Sequence, residues 1–210
     1  MSKPKLAARQ AHSTAERPAS RTTAISQRPA WDEYFMLMAK LAAIRTTCIS
    51  RAVGAVVVAD NQVVSTGYNG SVPGGPHCLD QGRCHKRSRG AASGDYLASR
   101  AVHAEANAVG MAARRGISLE GSTMYITMAP CANCVKLLAS AGIKSVVYER
   151  VYDTEEGDNP KEWIEAMDAA GISHRQLSLS KHVVEKAIAL IAQPTSVRHP
   201  LTTEGYPDEP

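Results

Sequence analysis

His103-Ala104-Glu105, followed after 24 intervening residues by Pro130-Cys131-Ala132-Asn133-Cys134, decides how this 210-residue chain is read. One imidazole and two thiols at these spacings form a ligand set for a divalent metal. A catalytic zinc takes three protein ligands and keeps a fourth position open for water. His103, Cys131 and Cys134 would be those ligands. Glu105 is not needed as a ligand and would move protons. Cys131 and Cys134 stand at i and i+3, so both fit one side of a helix's first turn. Pro130 suits a helix start, where a missing N–H costs nothing. His103 opens a second helical run through Ala113, so two helix N-termini would converge on one metal. Their unpaired N–H groups would stabilise the thiolates. A closed structural zinc knuckle and a C-x-x-C redox pair compete as readings of the cysteines alone; the H-x-E partner weighs against both.

The segments around the motif read as an α/β chain. On the C-terminal side, Thr123 to Met128 predicts a strand feeding a Cys helix over 131–141 that Gly142 stops. Lys144 to Tyr148 predicts a strand and Lys161 to Ala170 a helix ended by Gly171. Residues 174–179 predict a short edge strand, and 181–192 a final helix. On the N-terminal side, Tyr34, Leu37, Met38, Leu41 and Ala42 recur at helical spacing over Trp31 to Ile44. The β-branched run Ala52 to Val58 predicts a buried strand. Asp60-Asn61 turns it into a second strand, Gln62 to Gly67. Residues 70–100 are rich in Gly, Pro, Ser and Arg and read as a long insert. The expected architecture is a mixed central sheet of about five strands with helices on both faces.

Charge separates the ends from the middle. The net charge is +4, but residues 1–30 hold six Lys or Arg against one Glu. The other 180 residues carry 18 basic and 19 acidic side chains. The basic character therefore belongs to a tail that has no hydrophobic period and reads as disordered. A near-neutral body weighs against a stable nucleic-acid partner. The expected organisation is the tail over 1–30, one domain over 31–180 with the insert at 70–100, then a C-terminal helix and loose end over 181–210. No apolar run approaches the ~18 residues of a membrane span. Five cysteines, an odd count, fit a reducing compartment, so a cytoplasmic setting is expected. An Arg- and Ser-rich, acid-poor opening leaves a transit peptide as the alternative.

With the hairpin and the metal motif placed, the chain resembles the deoxycytidylate (dCMP) deaminase family of the zinc-dependent cytidine and deoxycytidylate deaminase superfamily. The residues that carry the likeness are Val53-Gly54-Ala55, Gly67-Tyr68-Asn69-Gly70, His103 through Ala108, Tyr125 through Cys131 and Ala141 through Tyr148. They occur in the family's order, from about residue 33 to about residue 172. Ala106 is smaller than the usual residue at its place. The cysteines make the chain more similar to phage and bacterial competence-associated members than to the animal form. The resemblance implies the three-layer α/β/α cytidine-deaminase-like fold. It also implies conversion of dCMP to dUMP and ammonia, supplying dUMP for thymidylate synthesis. Zinc would bring the pKa of a water towards ~7. Glu105 would carry that water's proton to N3 of the base and later protonate the departing amino group. Asn69 would hydrogen-bond the sugar, the Ala104 backbone the base, Tyr152 would pack near the nucleotide, and Arg51 would meet the phosphate or remain a solvated surface residue.

The same resemblance implies more around this site. Cys48 and Cys78 match members with a second zinc, for which Cys84 and His85, chosen over His77, complete the ligands; such a closed site would pin the insert. The bland alternative is that Cys48 is a small buried apolar residue and the others are incidental. Relatives respond to dCTP and dTTP, the former with Mg, at a site involving Tyr68 and Gly70 and the subunit interface, to which Arg114 corresponds. Arg83, Lys86, Arg87, Arg89 and Arg100 in the insert read either as a solvated loop or as an anion site. Relatives assemble as dimers into hexamers. Two other classes remain in view. A tRNA or single-stranded DNA editing deaminase would share the chemistry. A non-catalytic zinc-binding competence protein would not need Glu105.

Overall fold

Ala55 and Val57 are buried on one face of their strand and Val56 and Val58 on the other. A strand buried on both faces lies inside a sheet with a layer on each side. The computed structural model, which describes residues 28–91, 99–151 and 160–193, has that arrangement. Its strands are β1 (Gly54–Ala59), β2 (Gln62–Tyr68), β3 (Gly70–Ser71), β4 (Ala101–Val102), β5 (Thr123–Met128), β6 (Ser145–Arg150) and β7 (Ser173–Gln176). Its helices are α1 (Trp31–Ala43), α2 (His85–Ser88), α3 (Ala104–Arg114), α4 (Ala132–Ser140), α5 (Pro160–Ala169) and α6 (Lys181–Ala192). Five strands form one sheet in the order β2-β1-β5-β6-β7. β1 runs antiparallel to β2 and β5, whereas β5, β6 and β7 are parallel. The sheet is mixed and five-stranded, as the sequence predicts.

The β1–β2 hairpin turns through Asp60 and Asn61, both with positive φ (50° and 59°). Two residues of left-handed backbone give the turn whose twist matches paired strands, and Asp and Asn tolerate it best after Gly. On one face of the sheet, Ala104, Ala108 and Ala112 of α3, Val135 and Leu138 of α4 and Trp163 and Met167 of α5 pack against Ala55, Val57, Met124, Ile126 and Val146. On the other face, Phe35, Met36 and Ala39 of α1 cover Val56, Val58, Tyr125 and Val147. α6 lies against α1 and buries no residue of its own. Two polar latches hold α1 down. Asp32 accepts the Tyr125 hydroxyl at 2.5 Å and pairs with Arg175, and Lys40 reaches Glu149 at 2.6 Å.

Two features differ from the expectation. The edge strand β7 occupies 173–176 and is shorter than predicted. The insert is closed at its base by a ladder that pairs Gly70 with Val102 and Ser71 with Ala101. That ladder delivers the chain directly into His103.

Candidate metal centre

Backbone position explains how the three ligand side chains meet. His103 is the N-cap of α3 and Cys131 the N-cap of α4, both with extended φ and ψ. Cys134 is then the third helical residue of α4. N-cap and third residue are the two positions whose side chains face each other across a helix end. This corrects the sequence reading in detail. Both helices begin one residue later than predicted, and Pro130 precedes the N-cap instead of opening the helix. α4 follows directly from β5, so the cluster sits beyond the carboxyl end of a central strand, where open α/β sheets place their sites.

His103 Nδ1 lies 3.6 Å from Cys131 Sγ and 3.5 Å from Cys134 Sγ. Zinc–sulfur and zinc–nitrogen bonds of ~2.3 and ~2.05 Å, opened to a tetrahedral angle, require about 3.5 Å between such atoms. The spacing therefore fits a tetrahedral zinc with three protein ligands. Among the described residues, His103, Cys131 and Cys134 are the one group of three or more potential ligands whose atoms all lie within 4.8 Å of one another. Hydrogen bonding from Cys134 holds the Cys131 thiol far below its usual range, at about 4, and Cys134 is pushed up in consequence. The lowered Cys131 thiol favours the thiolate form that binds a metal.

Glu105 is only 2% exposed. Burial pushes its carboxyl up to about 7, against the opposing pull of His103 and a hydrogen bond with Cys134. That hydrogen bond places the carboxyl beside the ligand set. The arrangement joins a metal cup, an acid/base group and exclusion of water.

Asn69 follows β2, and its side chain is spent largely on the loop before β1. Its Oδ1 accepts Thr46 Oγ1 at 2.7 Å and the Val53 N–H at 2.9 Å, while Nδ2 donates to the Arg51 carbonyl at 3.0 Å. One N–H of the carboxamide remains for a ligand. Arg51 stands in that loop with its guanidinium 3.9 Å from Met128 Sδ, at the end of β5 that leads to Cys131. Ala104 is fully buried behind His103. Tyr152 lies outside the described residues. Tyr68 ends β2, and Gly70 sits where a Cβ would strike Thr47. Arg114 is exposed at the far end of α3, roughly 16 Å along the helix from His103.

The structure does not gather Cys48, Cys78, Cys84 and His85 into a ligand group of the kind His103 forms with its cysteines. Cys84 begins α2. Burial raises its thiol, but hydrogen bonds with Ser50 and with the backbone of Arg87 and Lys86, together with the Arg87 charge, leave it below the usual range. Cys78 is buried, and the Leu79 N–H donates to the Thr47 carbonyl at 3.2 Å, which brings the backbone beside Cys78 against that beside Cys48. Nδ1 of His77 is buried without a hydrogen-bond partner among the described residues. Desolvation, and after it the charges of Arg100, Arg89 and Arg83, lower the His85 imidazole pKa. Sequence reasoning gave no role to Thr46 or Asn107. Thr46 Oγ1 also lies 2.8 Å from the Asn69 carbonyl, so its one proton serves either of the two Asn69 oxygens, and Asn107 Nδ2 donates to the Tyr68 carbonyl at 2.7 Å. The only available sign was that Asn107 stands one turn after His103.

The fold and the site together define an α/β/α protein with a three-residue cluster that fits a zinc ion and a buried carboxylate. Residues 29–150 match the family described as the cytidine and deoxycytidylate deaminase zinc-binding region, and the chain belongs to that family. It is 35% identical over 159 residues to ComE operon protein 2 of Bacillus subtilis, covering 76% of this chain and 77% of that one. It is 45% identical over 129 residues to the deoxycytidylate deaminase of Mycobacterium phage D29, covering 59% and 97%. Among solved structures, the dCMP deaminase of cyanophage S-TIM5, in complex with dCMP and dUMP, superposes with a TM-score of 0.58 at 27% identity, covering 71% of this chain and 98% of that one. No helix among the described residues is long and apolar enough to cross a membrane.

Proposed function

We propose that the protein hydrolyses dCMP to dUMP and ammonia, and so supplies dUMP for thymidylate synthesis. The observation that carries this reading is the buried Glu105 carboxyl set against the His103–Cys131–Cys134 cluster. The family and the substrates named for its relatives support the choice of dCMP. Zinc held by His103, Cys131 and Cys134 supplies Lewis acidity and a water of lowered pKa. Glu105 would take one proton from the attacking water and hand it to N3 of the pyrimidine; it would then take the second proton from the hydroxyl now on C4 and give it to the amino group, which leaves as ammonia while the C4 carbonyl forms. A carboxyl lifted towards neutrality by burial suits both tasks. The carboxyl, in the first turn of α3, is shielded from bulk solvent. The Ala104 backbone meets the base, the remaining Asn69 N–H the sugar, Arg51 the phosphate, and Tyr152 packs near the nucleotide.

The finer assignments belong to the same reading. The domain spans 31–180 between a basic tail over 1–30 and a C-terminal helix and tail over 181–210. The protein acts in the cytoplasm as a homo-oligomer, by analogy a homohexamer built from dimers. dCTP with Mg, or dTTP, acts through Tyr68, Gly70 and Arg114. A second zinc takes Cys48, Cys78, Cys84 and His85, with the orphaned His77 Nδ1 as the competing nitrogen. Such a site requires the insert to close further around the Cys48 loop, and metal binding supplies free energy for that ordering.

The test is ammonia release from dCMP, 5-methyl-dCMP, 5-hydroxymethyl-dCMP, dCTP, deoxycytidine and a short single-stranded oligonucleotide. We expect dCMP to give the highest kcat/KM. Preference for the oligonucleotide would transfer the protein to the editing class, and inactivity on all six would make it a zinc-binding scaffold.

A further inference from the structure

α3 carries His103 and Glu105 at its first turn, while the segment after β2 carries Asn69. The relation between helix and strand therefore fixes where a nucleotide lies with respect to the reacting centre. Three contacts set that relation. Gly67 is pressed against the backbone of Ala104 and Ala108, where any Cβ would collide. Ser65 Oγ donates to the Ala108 carbonyl at 2.6 Å. Asn107 Nδ2 donates to the Tyr68 carbonyl at 2.7 Å. The first two hold the body of β2. The third is made at its last residue, where the chain leaves the sheet towards Asn69 and the β3–β4 ladder.

We propose that Asn107 is a positioning residue that sets the Tyr68–Gly70 segment against the metal-bearing helix. The proposal rests on the reading of that segment as nucleotide-contacting. Asn107 N–H donates to the His103 carbonyl at 3.0 Å, so its backbone is tied to the metal ligand while its side chain is tied to Tyr68. From Tyr68 the chain of contacts continues through Asn69 to the carbonyl of Arg51 and the N–H of Val53. One carboxamide on α3 thereby links the proton-transfer half of the site to the loop that carries Arg51. The bond is made near the surface, and α3 keeps its buried alanine stripe without it.

Two substitutions test this in the full-length zinc-loaded protein. Asn107→Asp is isosteric but sets a carboxylate against the Tyr68 carbonyl, and Asn107→Gln keeps an N–H donor. We expect Asn107→Asp to retain the wild-type zinc content and to unfold within about 4 °C of it. Its KM for dCMP should rise about tenfold with kcat changed less than threefold, and Asn107→Gln should recover most of the loss. Hydrogen–deuterium exchange gives a readout independent of substrate. Residues 68–70 and 46–53 should exchange faster in Asn107→Asp, while β5 and α4 should not. Unchanged exchange in 68–70 overturns the proposal whatever the substrate is. So does an activity loss that follows zinc content or stability with KM unaltered. A wild-type protein inert towards dCMP, with the exchange pattern as expected, would instead sink the substrate reading and leave the coupling in place.

Discussion

His103 Nδ1 lies 3.5 Å from Cys134 Sγ, although the two residues belong to different helices and are separated by 31 positions. Neither helix alone makes the cup. α3 and α4 must each present an end to the same point, and the sheet face on which both pack sets the distance. Four measurements probe that arrangement.

Glu105→Ala should keep zinc and lose deamination. Glu105 is the one titratable residue of the motif that the metal does not require. Its removal should lower kcat by at least ~10², the usual worth of a positioned acid/base. Elemental analysis and an ammonia assay on the same preparation check both halves. Near-normal turnover would refute the proton-transfer role.

Removing the metal should abolish turnover and lower the thermal midpoint, because His103, Cys131 and Cys134 tie two helix ends together. Dialysis against a strong chelator, followed by return of zinc, should reverse both effects. Activity that persists below a tenth of a zinc per chain would rule out metal-dependent hydrolysis.

Two glycines should respond with opposite signs on substitution. Gly67→Val forces a side chain into the backbone of α3 and should destabilise by about 3 kcal/mol, at the upper end of the overpacking range. Gly110→Ala, on α3 with open space around it, should stabilise by about 0.5–1 kcal/mol through helix propensity. Urea unfolding of the two variants beside wild type decides the matter. A neutral Gly67→Val would mean that α3 and β2 are farther apart than described.

The metal count tests the second zinc. Protein purified without chelator should hold two zinc ions per chain, and Cys78→Ser should lower the count by one while leaving part of the activity. Cys131→Ser should remove the catalytic ion and all turnover. One zinc per chain in the wild type would end the case for a second site.

What the sequence revealed depended on whether the signal was local. β1 was legible because a strand buried on both faces must be apolar throughout, and Ala55 to Val58 has no polar interruption. The hairpin was legible because Asp60-Asn61 supplies the two residues that accept left-handed backbone. His103, Glu105 and the two cysteines stand at spacings fixed by a helix end, so their chemistry could be read from the order of residues alone. The capping positions were missed by one residue, since periodicity marks the turns of a helix and not the extended residue before it. The β3–β4 ladder has two residues on each side, too few to leave a period. The bonds from Asn69 to Thr46 and from Asn107 to Tyr68 join segments 23 and 39 positions apart, and such pairings leave no local mark. For Cys48 ahead of β1 and Cys78, Cys84 and His85 in the insert, spacing said nothing about where the side chains end in space.

The short ladder at the base of the insert has a consequence for how this family can vary. Because Gly70–Ser71 pairs with Val102–Ala101, the chain departs and returns at the same place, immediately ahead of His103. The described residues 72–91 form an appendage hung from that closed stem, touching the body at Thr47. The entropy of closing such an excursion grows only with the logarithm of its length. Evolution, or an engineer, can therefore exchange that appendage as a cassette, longer, shorter or with different chemistry, and the imidazole at its exit will still be delivered to the same point.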